Sequence, residues 1–140
     1  MKTKQCARCK ETKFCSMFYK DKRTKDNLFP WCKECKNNSD KKYTDRRLRT
    51  VSGYLRHLFH CIRQRCNNPK YPKYKYWGGR GIKCKFKNAN EFINYVISKL
   101  QIDPHGLTID RINNDKHYEP GNIRFVTIAE NNRNKRKKSK

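Results

Sequence analysis

The chain has 140 residues, 34% hydrophobic and 34% charged, and carries a formal net charge of +24 from 36 Lys and Arg against 12 Asp and Glu. That length holds one domain with a small appendage at most, and that composition leaves a core that needs a metal or another staple. The charge predicts a polyanionic partner, and the lack of an apolar run near the ~20 residues of a spanning helix, or of a signal peptide, argues against a membrane and for a reducing cytoplasm.

In such a compartment the eight cysteines are read as metal ligands or buried thiols rather than disulfides. Cys6-Ala-Arg-Cys9 and Cys32-Lys-Glu-Cys35 are two C-x2-C pairs with the spacing of a four-cysteine structural zinc module. Each pair is expected to form a tight knuckle, with both knuckles facing one tetrahedral ion. The insert between Phe18 and Phe29 is too polar to bury itself, so the ion must supply folding energy. Cys15 lacks a partner at that spacing and reads as a small packed residue. Residues 1–40 are therefore assigned to a zinc ribbon.

Residues 37–47 read as a polar connector. Leu48, Val51, Leu55, Leu58 and Ile62 then recur on one face of a helix, with Arg46, Arg47, Arg49, Arg56, Arg63 and Arg65 on or beside the other. This gives a basic amphipathic helix over 41–68, able to pack on a core and to lie along a phosphate backbone. From Asn67 to Ile82 the chain reads as a loop. Alternating Lys and Tyr there suit backbone contacts and stacking, and its glycines permit close turns. Cys61, Cys66 and Cys84, with His60, offer a second metal site as one reading, but their irregular spacing favours buried reduced thiols. Asn88-Ala-Asn-Glu91 has the form of a capping box opening a helix with Phe92, Ile93, Val96, Ile97 and Leu100 at helical period, closed by Asp103-Pro104-His105-Gly106. Residues 135–140 form a basic tail.

The most informative stretch runs from Leu107 to Asn134. Leu107-Thr-Ile-Asp-Arg-Ile112 and Ile123-Arg-Phe-Val-Thr127 read as short strands joined by a turn-rich connection. Thr127-Ile-Ala-Glu130 is a second capping box that starts a helix near Thr127. Asp110 at the end of a strand and Asn131 in the first turns of the helix would meet if the hairpin folded back under it. Two hard oxygen donors converging in this way suit a Mg²⁺-type cation.

In these residues the chain resembles the HNH, or ββα-metal, nuclease superfamily. It resembles more closely the small phage-borne members with a Trp/Tyr-Gly-Gly-Arg-Gly-Ile segment upstream, here Trp77-Gly78-Gly79-Arg80-Gly81-Ile82. Asp-X, Pro-Gly-Asn-X-Arg and Glu-Asn occur in the family's order, and the four-cysteine unit is similar to ribbons fused to phage nucleases. The resemblance implies an α+β fold: a zinc ribbon, then helices, then a ββα-metal unit over 69–134. It implies a metal-dependent DNA endonuclease, of nicking or homing type, with structural Zn²⁺ and catalytic Mg²⁺ or Mn²⁺. Double-stranded DNA is the implied partner, and a homodimer is one arrangement in which such a chain acts. Asp110 and Asn131 fall at the metal ligands, and Asn122 at the Asn that braces the hairpin loop. Arg80, Arg124 and Arg133 fall among the DNA contacts.

One departure stands out. The family's Asp is normally followed by a His that acts as general base, and here Arg111 follows. Arginine stays protonated at any working pH, so it can clamp a phosphate but cannot take a proton. Some ββα-metal restriction enzymes pair Asp-Arg with a Tyr in the hairpin, and Tyr118 matches that arrangement. A free phenol titrates near ~10 and needs a cation beside it to serve as base. His117 and His105 compete for the role. The rival readings are a catalytically inactive zinc-containing DNA-binding protein and an RNA-binding zinc ribbon protein.

Overall fold

A computed structural model describes residues 2–135, so residues 136–140 of the basic tail lie outside the described residues. The chain is α+β, with short antiparallel strand pairs and a four-cysteine cluster. It divides into two compact units, Met1–Arg47 and Leu48–Lys140.

In the first unit, β1 (Thr3–Gln5) pairs with β2 (Thr12–Phe14), and β3 (Phe18–Lys20) pairs with β4 (Leu28–Cys32), both antiparallel. The first cysteine pair lies in the β1–β2 connection, a tight turn closed by Lys10 N–H donating to Cys6 O at 2.9 Å, with Lys10 at φ +63°. The second pair differs from the expected knuckle. Cys32 ends β4, and Cys35 lies in the first turn of helix α1 (Lys33–Leu48). Among the described residues, Cys6, Phe18 and Cys32 form the buried centre of this unit, flanked by Cys9, Leu28, Trp31 and Cys35.

Helix α1 also overturns the connector expected over 37–47. No Gly or Pro interrupts that stretch, Lys36 and Asp40 form an i,i+4 ion pair, and none of the helix's residues is buried. A polar composition had concealed a helix that has no core face to reveal its period. The amphipathic helix accordingly starts later than expected: α2 spans Val51–Asn67, and Thr50 caps it by accepting from Gly53 N–H at 3.1 Å. Leu48 belongs to α1, while Leu55, Phe59, Ile62 and Cys66 of α2 are buried.

In the second unit, α2 packs against α3 (Ala89–Asn94), which continues as a π-helical turn over Tyr95–Leu100 and stops at Gln101 in the left-handed region. Asn88 caps α3 by accepting from Glu91 N–H, but Glu91 accepts from Lys87 N–H, so the expected reciprocal box is shifted by one residue. Between α2 and α3 the loop folds into two 3₁₀ turns, Tyr74–Tyr76 and Gly78–Arg80. Gly78 passes so close to the Cys66 carbonyl and the Tyr74 ring that a Cβ would overlap both. Strands β5 (Thr108–Arg111) and β6 (Ile123–Val126) form an antiparallel hairpin with Asp110 opposite Arg124, and α4 (Ile128–Arg133) follows. Thr127 and Glu130 make the reciprocal capping box that the sequence predicts at the start of α4. Ile109, Ile123 and Phe125 turn inward to join Leu55, Phe59, Ile62, Phe92 and Val96 in one core. A hairpin backed by that core and topped by a capped helix gives the site below a fixed frame.

Candidate functional site

The Sγ atoms of Cys6, Cys9, Cys32 and Cys35 lie within 4.8 Å of one another, a set able to hold a metal ion such as zinc. Burial raises the Cys6 thiol, but N–H donors from Cys32, Cys9 and Arg8 outweigh it and bring the thiol down to about 6. The Cys32 N–H lies 3.2 Å from that sulfur. Burial and the neighbouring sulfurs push Cys35 up to about 12. A divalent ion held by these sulfurs would favour the thiolate form of its ligands. Cys61, Cys66, Cys84 and His60 make no such group among the described residues. Burial pushes Cys66 up to about 11 and raises Cys84; Cys66 is buried as expected, whereas Cys61 and Cys84 are only half-buried.

Asp110 is the focus of the second cluster. Its side chain is 4% exposed, and alternation along β5 sends it to the face covered by α4 while Arg111 turns the other way. Arg124, directly opposite on β6, donates from Nε at 3.0 Å and Nη2 at 2.9 Å to Oδ2. The Asn134 carboxamide donates from Nδ2 to both carboxylate oxygens, at 3.0 and 2.8 Å, and to the Arg111 carbonyl at 2.8 Å.

The partner from the helix is therefore Asn134 and not Asn131. Asn131 Nδ2 reaches Thr108 Oγ1 at 3.1 Å and the Ile109 carbonyl at 3.4 Å, which pins α4 to the start of β5. The two asparagines stand three residues apart on one helix face, and three residues advance the helix by ~4.5 Å. Strand β5 runs beneath that face, so Thr108 and Ile109 fall level with Asn131 and Asp110 with Asn134. The i,i+3 spacing was visible in the sequence, but only the strand's height under the helix chooses between them.

Arg111 is 5% exposed, and its Nη1 donates to the carbonyls of Asn114 (2.9 Å) and Lys116 (2.8 Å). Its guanidinium braces the β5–β6 connection instead of standing free as a phosphate clamp. Asn122, 6% exposed, braces the same connection from the other side. Its Oδ1 accepts from Asn113 N–H at 2.9 Å, and its Nδ2 donates to the carbonyls of Asn113 (3.1 Å) and His117 (2.8 Å). Arg80 is held as well, donating to Asp115 Oδ1 at 2.6 Å and to the Asn114 carbonyl at 3.4 Å. The Gly-Gly-Arg-Gly segment thus ties into the hairpin loop. Arg133 is exposed in the last turn of α4.

The three candidate bases are placed very differently. His105 Nδ1 meets the Asp103 carboxylate at 2.6 Å and Nε2 meets the Leu48 carbonyl at 3.0 Å, so both ring nitrogens donate. The Leu48 carbonyl and then Asp103 raise its pKa accordingly. His117 Nδ1 accepts from the Lys83 N–H at 3.3 Å, so a neutral ring carries its proton on Nε2. Neither histidine offers a ring nitrogen open to take a proton. Tyr118 is 3% exposed, paired through its backbone with Cys84, and its ring lies 5.1 Å from the Arg111 guanidinium carbon.

Arg65 is a neighbour that sequence reasoning left on the outer face of α2. It lies 5.4 Å from the Trp77 ring centroid. Burial disfavours its charge, but the Tyr118 and Tyr71 phenols outweigh that and raise its pKa. An arginine among a helix's polar residues gives no local sign that it will turn inward to a tyrosine far along the chain.

Comparison with family models, with curated proteins and with solved structures found no match. No helix of the described residues is long and apolar enough to cross a membrane.

Proposed function

We propose that this chain is a divalent-metal-dependent DNA endonuclease of the HNH, or ββα-metal, type, with a structural zinc in its four-cysteine unit. One observation carries the reading: a buried carboxylate, Asp110, stands where the hairpin and the capped helix α4 meet, with a helix carboxamide against it. The net charge of +24 suits a polyphosphate substrate.

The donor set fits Mg²⁺ or Mn²⁺. Asn134 Nδ2 occupies a point faced by Asp110 Oδ1, Oδ2 and the Arg111 carbonyl, three oxygens gathered around a positively polarised group. A half-turn of the carboxamide exchanges its nitrogen for its oxygen, leaving an oxygen-only set with one carboxylate, as Mg²⁺ takes when water and substrate phosphate complete its shell. Bound there, the ion would stabilise charge on the scissile phosphate and the departing 3′ oxygen. Asp110 and Asn134 hold the site, with Arg124 orienting the carboxylate. Arg111 and Asn122 are positioning residues that fix the hairpin connection. Tyr118 is the proton acceptor that the family resemblance offers once both histidines are engaged by hydrogen bonds.

The test is a supercoiled-plasmid assay with Mg²⁺ or Mn²⁺. The wild type should relax or linearise plasmid. Asp110→Ala, Asn134→Ala and Tyr118→Phe should each lose ~10²-fold or more in rate while keeping the wild-type circular dichroism. Asn131→Ala should retain most activity. An Asn134→Ala variant at full rate beside a dead Asn131→Ala would overturn the ligand assignment.

A second reading, a DNA-binding protein without catalysis, draws on the 3% exposure of Tyr118 and the engagement of Arg111 by loop carbonyls. Salt-dependent binding with no cleavage under any of these conditions would select it.

A further inference from the structure

Helix α4 is six residues long, Ile128–Arg133, less than two turns, and a helix that short is not stable by itself in water. Its start is closed by the Thr127–Glu130 box, and Asn131 ties it to Thr108 of β5. Asn134 follows as its C-cap, and its carbonyl is one of those that a helix C-terminus leaves without an intrahelical partner. That carbonyl is met from the β5–β6 connection, where Asn114 Nδ2 donates to it. A carbonyl can only accept, so the contact settles which end of the Asn114 carboxamide faces the helix.

The sequence places Asn114 in the run Asn113-Asn-Asp115, turn formers whose spacing assigns them nothing beyond the turn. In the structure Asn114 is half-buried, and its main chain is held from two sides. Its carbonyl accepts from Arg111 Nη1 at 2.9 Å and from Arg80 Nη2 at 3.4 Å. Arg80 is anchored in turn by Asp115 Oδ1 at 2.6 Å. Two guanidiniums thus fix the backbone of Asn114, and its side chain carries that fixed position across to α4. The contacts run unbroken from the Gly-Gly-Arg-Gly segment to the residue that faces Asp110.

This bond gains weight when Asn134 presents its oxygen to a cation. As it stands, the Asn134 carboxamide helps to hold its own turn by donating to Asp110 and to the Arg111 carbonyl. A half-turn of the carboxamide gives up all of these, because an amide oxygen cannot donate. The Asn114 bond is made to the main chain of Asn134 and is indifferent to that rotation. It is then the one hydrogen bond joining the hairpin to Asn134 among the described residues.

We propose that Asn114 is a positioning residue for the cation site, its carboxamide clamping the Asn134 carbonyl so that the Asn134 oxygen stays within reach of an ion held by Asp110. This rests on Asp110 and Asn134 holding a divalent ion, and it adds the residue that keeps the two together. Groups that orient a metal ligand in this way are worth ~10–100-fold in affinity.

The experiment measures Mn²⁺ binding to the zinc-loaded full-length protein without DNA, by loss of the free Mn²⁺ electron paramagnetic resonance signal. Circular dichroism and Tm are recorded on each variant before titration. Wild type should bind an ion that Asp110→Ala does not. Asn114→Ala should bind it roughly tenfold more weakly. Asn114→Gln, whose longer side chain still brings a carboxamide to the same carbonyl, should recover most of that loss. Asn131→Ala removes the other tether of α4 and is the comparison for stability. It should lower the metal-free Tm about as much as Asn114→Ala, by about 5 °C, yet keep most of the Mn²⁺ affinity. Wild-type affinity in Asn114→Ala, an equal loss in Asn131→Ala, or a Gln variant as weak as the Ala variant would each overturn the proposal. A wild type that binds no Mn²⁺, or binds it no better than Asp110→Ala, would overturn the cation site itself.

Discussion

Removing either member of the Asp110–Arg124 pair should cost stability unequally, and the inequality follows from burial. The Asp110 side chain is 4% exposed and that of Arg124 43%. In Arg124→Ala the carboxylate stays in a nearly water-free position with only the Asn134 carboxamide donating to it. Leaving a buried charge without its partner costs about 3–5 kcal/mol. The guanidinium is partly solvated already, so the lower end, about 3 kcal/mol, applies. In Asp110→Ala the guanidinium left behind turns to water, and Asn134 Nδ2 keeps the Arg111 carbonyl, so about 1 kcal/mol is lost. The gap of about 2 kcal/mol corresponds to roughly 10 °C in Tm for a unit of this size. Thermal and urea unfolding followed by far-ultraviolet circular dichroism, both without added Mg²⁺, measure it. If Asp110→Ala proves as destabilising as Arg124→Ala, Asp110 is not held as a buried anion and the account of the site fails.

Two further outcomes test other parts of the molecule. Metal analysis should find one zinc per chain. Chelation or Cys32→Ser should unfold the first unit, read as a change in emission from Trp31 beside the cluster, while Cys15→Ser should leave both metal content and spectrum unchanged. His105 should make stability depend on pH with a defined sign. Its folded pKa is raised by the Leu48 carbonyl and then by Asp103, so its contribution is complete below the unfolded value near ~6.5 and is lost as pH climbs through the folded one. Urea midpoints should therefore fall as pH rises above about 6.5, and more gently in His105→Gln; an unchanged slope would show that the imidazolium contributes nothing.

Features set by neighbours within a few residues were legible in the sequence. The two C-x2-C pairs specify a thiol cluster because each pair delivers two sulfurs locally. Thr127 and Glu130 specify the start of α4 because a capping box closes on itself within one turn. Leu55 and Ile62 declared the buried face of α2. Where local signals were silent the reading went astray. Helix α1 buries nothing, so no periodicity announced it, and Cys35 lies in its first turn instead of in a second knuckle.

The sequence alone determined a strongly basic α+β chain with a four-cysteine cluster and a strand-turn-strand-helix segment holding Asp110. Only the tertiary structure decided that Asn134 meets Asp110 while Asn131 ties α4 to Thr108, that Arg111 turns away to brace the loop, and that both candidate histidines are already engaged. It also decided that Asn114 reaches the Asn134 carbonyl and that Arg65 turns in toward Tyr118. The physical reason is common to all of these. Residue type and spacing fix what a side chain can bond and which face it leaves from, but the atom it meets belongs to an element far along the chain. Its height and rotation are set by packing against the core.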